Sequence, residues 1–326
     1  MGWTAYKVTL RLCSPMHIGA GKVGNLQRTR PYVAGRNLWG ALTAHLTRDG
    51  DPQGKPAPVE YKAMGDRVHD ELAFTYFFPT TDQQGCKPLF PHLDAQGNRG
   101  YGWDGSGAPL LDASAFRYHF LSTYASTALD YTAYSAQEAS LHEVECLTPH
   151  TRDREPVYLT GYIFQAEGSS LNWQRALTRL QIGGERGYGW GRVEVAEPAG
   201  IREVQEREVP LFGTGHVAHL DGPRVHIHLE KDQPTLAHAL AAPFEDKTCC
   251  NDDGTPRIRG KVIHVEGTVE PLVGREVDPT DGRFGVHLSP ARICYTPGAR
   301  VGEATQVQIG RFGVWERCPE PIEGAP

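Results

Sequence analysis

Residues Ala5-Tyr-Lys-Val-Thr-Leu-Arg-Leu12 alternate apolar and polar side chains and lead into Ser14-Pro-Met-His-Ile-Gly-Ala-Gly-Lys-Val-Gly24, whose last six positions hold three glycines. The alternation has the period of a strand with one face buried. The stretch after it predicts a loop, because glycine lacks a Cβ and lets the backbone come close to a partner. Next, Pro31-Tyr-Val-Ala-Gly35 reads as a short strand. In Arg36-Asn-Leu-Trp-Gly-Ala-Leu-Thr-Ala-His-Leu46, Leu38, Ala41, Leu42 and His45 recur at helical spacing behind Asn37, a side chain suited to capping a helix. The order strand, glycine loop, short strand, helix predicts a mixed α+β fold.

Outward from this stretch, a helix is predicted around Tyr61–Leu72 and an aromatic strand over Ala73–Phe78. Residues 83–110 are rich in glycine and read as an irregular insertion. The segment Phe116–Leu147 mixes Ser, Thr and Ala without one clear period. Within it, Leu141 and Val144 make the acidic run around His142 an amphipathic turn rather than an acid/base cluster. Strands follow at Val157–Phe164 and Val193–Ala196, with an amphipathic helix over Leu171–Leu180. Past residue 200, β-like segments at Arg224–Leu229 and Lys261–Val269 predict a second, smaller β-rich unit. The expected division is 1–200 and 201–326.

Between that helix and the strand after it lies Gly183-Gly-Glu-Arg-Gly-Tyr-Gly-Trp-Gly-Arg192, with five glycines in its first nine residues. Such spacing suits neither a packed helix nor a strand and predicts an exposed loop with free backbone N–H groups. Those groups and Arg186 and Arg192 can reach phosphate oxygens, while Tyr188 and Trp190 offer faces for base stacking. The combination suits single-stranded RNA; the alternative is a hairpin that packs a sheet corner. It lacks the GxxxxGK[ST] pattern of a nucleotide-binding loop, and it precedes a strand rather than a helix, which excludes a dinucleotide fingerprint.

The composition allows this reading. The chain has 326 residues, 39% hydrophobic and 9% aromatic, enough for a real core and for two domains or one pseudo-duplicated unit. With 33 Lys plus Arg against 39 Asp plus Glu the net charge is −6, but its placement is uneven. Between Met1 and Arg48 stand seven basic residues and no acid; the other 278 residues carry 26 basic and 39 acidic side chains, a net of −13. A basic face on an acidic body fits one local polyanion site. There is no secretory leader and no run of about 18 apolar residues, so no membrane partner is expected. Seven scattered cysteines without a CxxC pair predict reduced thiols and a cytoplasmic location.

Together, the Ser14–Gly21 turn, the Gly35-Arg-Asn-Leu-Trp-Gly-Ala-Leu42 helix start and the Gly183–Arg192 loop resemble the RAMP superfamily of CRISPR RNA-binding proteins. The matches cover residues 5–46 and 171–196, with weaker similarity at Ser126–Leu147 and Leu159–Phe164. The resemblance implies a ferredoxin-like β-α-β-β-α-β domain, followed by a divergent second domain. Within the superfamily the chain is most similar to the Cas five group, the capping subunits of type III-like effectors. These hold the 5′ repeat-derived handle of the crRNA and seat a large subunit or the first backbone subunit. In the repeat-cutting enzymes the glycine loop usually lies near the C-terminus, whereas 134 residues follow Arg192 here. Backbone subunits that cut target RNA usually carry an Asp after the first strand, and no carboxylate occurs before residue 49.

On this resemblance the handle-binding surface comprises His17, Gly19, Gly21, Lys22, Arg28, Arg30, Arg36 and Trp39, with Gly183, Gly184, Arg186, Gly187, Tyr188, Gly189, Trp190 and Arg192. The arginines are expected on phosphates, and His17, Tyr188 and Trp190 on bases. Arg36 departs from the Ser- or Asp-type helix start usual in the family. No catalytic residue, metal or cofactor is expected; the partners are crRNA, other effector subunits (backbone subunits and a large subunit or separate nuclease) and, indirectly, target RNA. A repeated backbone subunit is the alternative reading, and a metal-independent repeat-processing nuclease using His17 or His45 a further one. Two other features are weaker. His226 and His228 share a strand face but lack a third ligand, and Cys249, Cys250 and Cys294 make a weak zinc set. Arg283-Phe-Gly285 and Gly310–Trp315 echo the glycine loop.

Overall fold

The computed structural model describes residues 2–51, 53, 55–94, 96–102, 109–198, 200–242, 244–250, 256–259, 263–278 and 284–318, without the side chains of 244–250, 256–259, Val277 and 284–286. The chain is α+β with mixed sheets. Its first half runs β1 (Trp3–Leu12), β2 (Gly19–Val23), β3 (Leu26–Thr29), α1 (Gly35–Gly50), α2 (Pro58–Glu71), β4 (Leu72–Phe74) and β5 (Phe78–Thr80). A three-stranded sheet of β6 (Pro91–Leu93), β7 (Arg99–Tyr101) and β8 (Leu111–Asp112) occupies the expected insertion. Then come α3 (Ala113–Phe120), β9 (Leu121–Ser126), the short hairpin β10 (Leu129–Asp130) and β11 (Ser135–Ala136), β12 (His142–Leu147), β13 (Tyr158–Ala166), α4 (Trp173–Leu177), β14 (Val193–Val195) and β15 (Ile201–Val204).

β1 is the centre of the main sheet, whose order is β14-β1-β13-β4, with β15 also on β1 and β5 also on β13. Every pairing in it is antiparallel. The alternation in β1 has the expected consequence: Val8, Leu10 and Leu12 join the core under α1, α2 and α4, while Trp3 and Ala5 join a second core on the opposite face. β13 divides likewise, with Leu159 and Ile163 in the first core and Tyr162 and Phe164 in the second. Fully burying a Leu or Val side chain contributes roughly 1.5–3 kcal/mol. Helices therefore cover one face of the sheet.

The other face is covered by the second half of the chain. Its strands are β16 (Glu208–Pro210), β17 (Val217–His219), β18 (His226–Leu229), β19 (Ala239–Leu240), β20 (Phe244–Cys250), β21 (Pro256–Arg259), β22 (Val265–Glu266), β23 (Val269–Leu272), β24 (Arg275–Val277), β25 (Phe284–Leu288), β26 (Arg292–Tyr295), β27 (Arg300–Val301), β28 (Thr305–Ile309) and β29 (Trp315–Arg317). Eight of them form one sheet in the order β16-β17-β18-β28-β29-β19-β26-β23. Val209, Ala218, Ile227, Val307 and Trp315 point from it into the second core, against Trp3, Tyr76, Phe78 and Phe164. Among the described residues no helix is long and apolar enough to cross a membrane.

Several local expectations are corrected. The glycine-rich stretch is half loop and half strand, since Gly19–Val23 pairs with β3 as an exposed hairpin. The short strand expected at 31–35 reduces to one bridge, Val33 to Phe77. α1 starts at Gly35 without a side-chain cap rather than behind Asn37, because the chain there packs under another segment: a Cβ on Gly35 would lie 2.4 Å from the Phe312 carbonyl oxygen. The aromatic strand is interrupted between Phe74 and Phe78, and both pieces pair with β13. The helix expected over 171–180 is only Trp173–Leu177, and Leu171 and Leu180 are buried in the turns around it. The stretch around His142 is no turn but strand β12, antiparallel to β9 and parallel to β3. It pairs with β9 in the same segment and with β3 more than a hundred residues earlier, and this pairing overrides local helical spacing. The expected strand over 261–269 divides into β22 and β23, and residues 260–262 lie outside the described set.

Candidate nucleic-acid interface

The glycine loop is folded against the turn after β1. Gly184 N–H donates to the His17 carbonyl (2.8 Å), Gly191 N–H to the Pro15 carbonyl (2.7 Å) and Arg192 N–H to Ser14 Oγ (2.9 Å). Cys13 N–H returns a bond to the Arg192 carbonyl (2.9 Å). Between these anchors Arg186–Tyr188 makes one 3₁₀ turn, entered through Glu185 and left through Gly189, both left-handed. Gly191 is fixed by two demands at once. Its φ is +76°, and a Cβ there would meet the Ile182 carbonyl oxygen at 2.0 Å.

This geometry corrects one expectation. The N–H groups of Gly184, Tyr188, Gly189, Trp190, Gly191 and Arg192 are spent inside the protein, so the loop presents side chains more than bare backbone. Tyr188 is 81% exposed, and Arg186 and Arg192 project to solvent, Arg192 with Glu194 at 2.8 Å. Trp190 meets the ring of Tyr124 on β9 edge-on, with centroids 5.8 Å apart. Gly19, Gly21 and Lys22 are exposed on the β2–β3 hairpin.

His17 is buried, and its Nδ1 bonds the Glu145 carbonyl oxygen at 2.8 Å. The Glu145 side chain, 2% exposed, binds the neighbouring cations. One oxygen accepts from Arg28 Nε (3.2 Å) and Thr29 N–H (3.0 Å), the other from Arg117 (2.6 Å). A buried carboxylate without such partners would cost several kcal/mol. His45, half buried on α1, is held below its ordinary pKa by burial and then by Arg48, against the opposing pull of Asp49.

No model of a known protein family matches the chain. Among solved structures, a chain in the cryo-EM structure of the type III-B Cmr-beta complex bound to cognate target RNA and AMPPNP is similar over 90% of this chain and 85% of its own, at 10% identity and a TM-score of 0.45. A chain in the apo structure is similar over 62% of this chain and 98% of its own, at 12% identity and a TM-score of 0.37. For a chain in the structure with cognate target RNA the values are 61%, 96%, 14% and 0.36.

Three of the expected residues are not brought to the glycine loop. Arg30 pairs with Glu270 of β23 and donates to the Tyr32 hydroxyl (3.3 Å). Arg36 lies 4.3 Å over the Phe312 ring and 3.7 Å from Glu276. Trp39 stacks on His69 at 4.9 Å and donates its indole N–H to the Gly65 carbonyl. All three tie α1 and the segment before it to other parts of the protein. The echo at Gly310–Trp315 is a second 3₁₀ turn, Arg311–Gly313, set against α1; Arg283 lies outside the described residues.

Sequence reasoning missed Glu145, Arg117 and Tyr124. Glu145 belongs to the acidic run around His142, where helical spacing disguises its strand. The others become visible only when α3 and β9 are placed. His219 faces His226 across β17 and β18, yet among the described residues no group of three His, Cys, Asp or Glu side chains is placed to hold a metal. Cys294 is buried, and the side chains of Cys249 and Cys250 lie outside the described residues.

Proposed function

We propose that this chain is a noncatalytic RNA-binding subunit of a CRISPR effector ribonucleoprotein, one that holds the 5′ handle of the crRNA and caps the backbone filament. The observation that carries the reading is the docking of the glycine loop on the Ser14–His17 turn. Two motifs far apart in the chain, which the resemblance pairs, share three hydrogen bonds and hold Arg186, Tyr188 and Arg192 outward. Phosphates meet the arginines, and splayed bases stack on Tyr188 and on the Trp190–Tyr124 pair.

The run β1-α1-β4-β13-α4-β14, in the sheet order β14-β1-β13-β4 with antiparallel neighbours, supports a ferredoxin-like RAMP core within the first 200 residues. The remainder is read as a divergent second domain that meets neighbouring subunits. Burial of His17, with Nδ1 committed to a backbone carbonyl, speaks for a positioning role and against acid/base work. No carboxylate precedes residue 49 to support a metal-assisted cut after the first strand.

RNA co-purified with the complex and sequenced should begin with one repeat-derived handle. Native mass spectrometry should count one copy per complex. Several copies would instead favour the repeated backbone subunit, and metal-independent cutting of a repeat hairpin that stops in His17→Ala or His45→Ala would favour a processing nuclease.

A further inference from the structure

We propose that the cleft between α3 and β9 is a second subsite that takes one splayed nucleotide of the bound RNA, its phosphate on Arg117 and its base on Tyr118. The inference rests on the RNA-binding reading above. The cleft holds about 310 Å³ and is walled by Ser114, Arg117, Tyr118, Ser122, Thr123 and Glu145. That is at the small end of ligand sites, roughly 300–1,000 Å³.

The charge arrangement exceeds what structure alone demands. Neutralising the buried Glu145 carboxylate takes one cation, but two guanidiniums and a backbone N–H converge on it. Each guanidinium spends one N–H there and keeps its other donors, with its side chain 42% (Arg28) or 46% (Arg117) exposed. One carboxylate between two arginines leaves one net positive charge, and the carboxylate fixes both forks in place. Such preset arginines are suited to a phosphate.

The rest of the wall fits a base and sugar. Among the described residues the hydroxyls of Ser114, Ser122 and Thr123 have no hydrogen-bond partner, and each can donate or accept. Tyr118 is 64% exposed, and the Arg152 guanidinium stands 5.6 Å from its ring and adds a further cation. The site also adjoins the loop surface. β9 is the edge strand in the order β2-β3-β12-β9; Thr123 faces the cleft, while its neighbour Tyr124, on the other face, touches Trp190. RNA leaving the loop surface reaches the cleft by rounding a single strand.

The test is fluorescence anisotropy of a labelled single-stranded RNA with the full-length chain over a salt series. Tyr118→Ala should weaken binding about tenfold with the salt slope unchanged, as loss of one stacked base does. Arg117→Gln should lower the slope by about 0.7, one single-strand phosphate contact. Tyr118 is exposed, so its variant stays informative if Arg117→Gln folds poorly. The control is the double variant Arg186→Ala with Arg192→Ala. If it binds weakly while Tyr118→Ala and Arg117→Gln bind as the unmodified chain does, the subsite is refuted and the RNA reading stands. If all of these variants bind as the unmodified chain does, both fall.

Discussion

Gly191 illustrates how tightly single positions are determined around the loop. Its left-handed φ and the carbonyl 2.0 Å from where a Cβ would sit leave no room for a side chain. Gly191→Ala should therefore cost about 2–3 kcal/mol in denaturant unfolding and displace Tyr188 and Trp190. A variant as stable as the unmodified chain would show that Gly191 is not held left-handed against the Ile182 carbonyl. At this scale residue types were readable but partners were not. Arg28, Arg30 and Arg36 announced positive charge, whereas their acceptors Glu145, Glu270 and Glu276 lie more than a hundred residues away. The strand that carries Glu145 is hidden in the sequence because Leu141 and Val144 sit at spacing that also fits a helical turn.

Among the elements, those with a strong internal period were readable: β1, β13 and α1 all occur close to where they were expected. Those decided by distant contacts were not, as in the hairpin built on Gly19–Val23 and the early start of α1. α1 is held from outside by the 3₁₀ turn near the end of the described chain. Phe312 lies under the Arg36 guanidinium and meets the edges of Trp39 (5.0 Å) and His69 (4.6 Å). Phe312→Ala should lower stability by about 2 kcal/mol through lost packing and cation–π attraction. An unfolding midpoint unchanged in urea would mean that the turn rests on α1 without supporting it.

Across the whole molecule, charge placement takes a different form from the one a residue count suggests. Of the seven basic residues before position 49, Arg28, Arg30 and Arg36 are paired with acids of the body; later in the chain Arg117 shares Glu145 with Arg28 and Arg179 pairs with Asp49, while Arg186 projects to solvent. The two halves also share a buried polar chain: Tyr76 hydroxyl to His238 Nδ1 (2.7 Å), His238 Nε2 to Glu270 (2.5 Å), and Arg30 to the same carboxylate. Burial pushes the Glu270 carboxyl up, but the hydrogen bonds from His238 and Arg30 outweigh it and bring it to about 2. Its contribution is present above about 4.5 and is lost as pH falls toward 2.

Buried histidines act at milder pH. Burial, with Arg311 next, pushes His69 down to about 3; burial takes His216 to about 4 and lowers His238. Unfolded histidines take up a proton near 6.5, so below that pH the unfolded chain binds more protons and stability falls with pH. From pH 7 to pH 5 the loss should be about 2 kcal/mol for each of His69 and His216, read as a falling Tm. A Tm that stays level over this range would contradict the neutral, buried state of these rings.

The most direct test of the central claim is the salt dependence of crRNA binding by the unmodified chain and by the Arg186→Ala, Arg192→Ala double variant. The account predicts weaker binding by the variant and a log–log slope shallower by about 1.4, two phosphate contacts on a single strand. Equal affinity and equal slope across the series would contradict it.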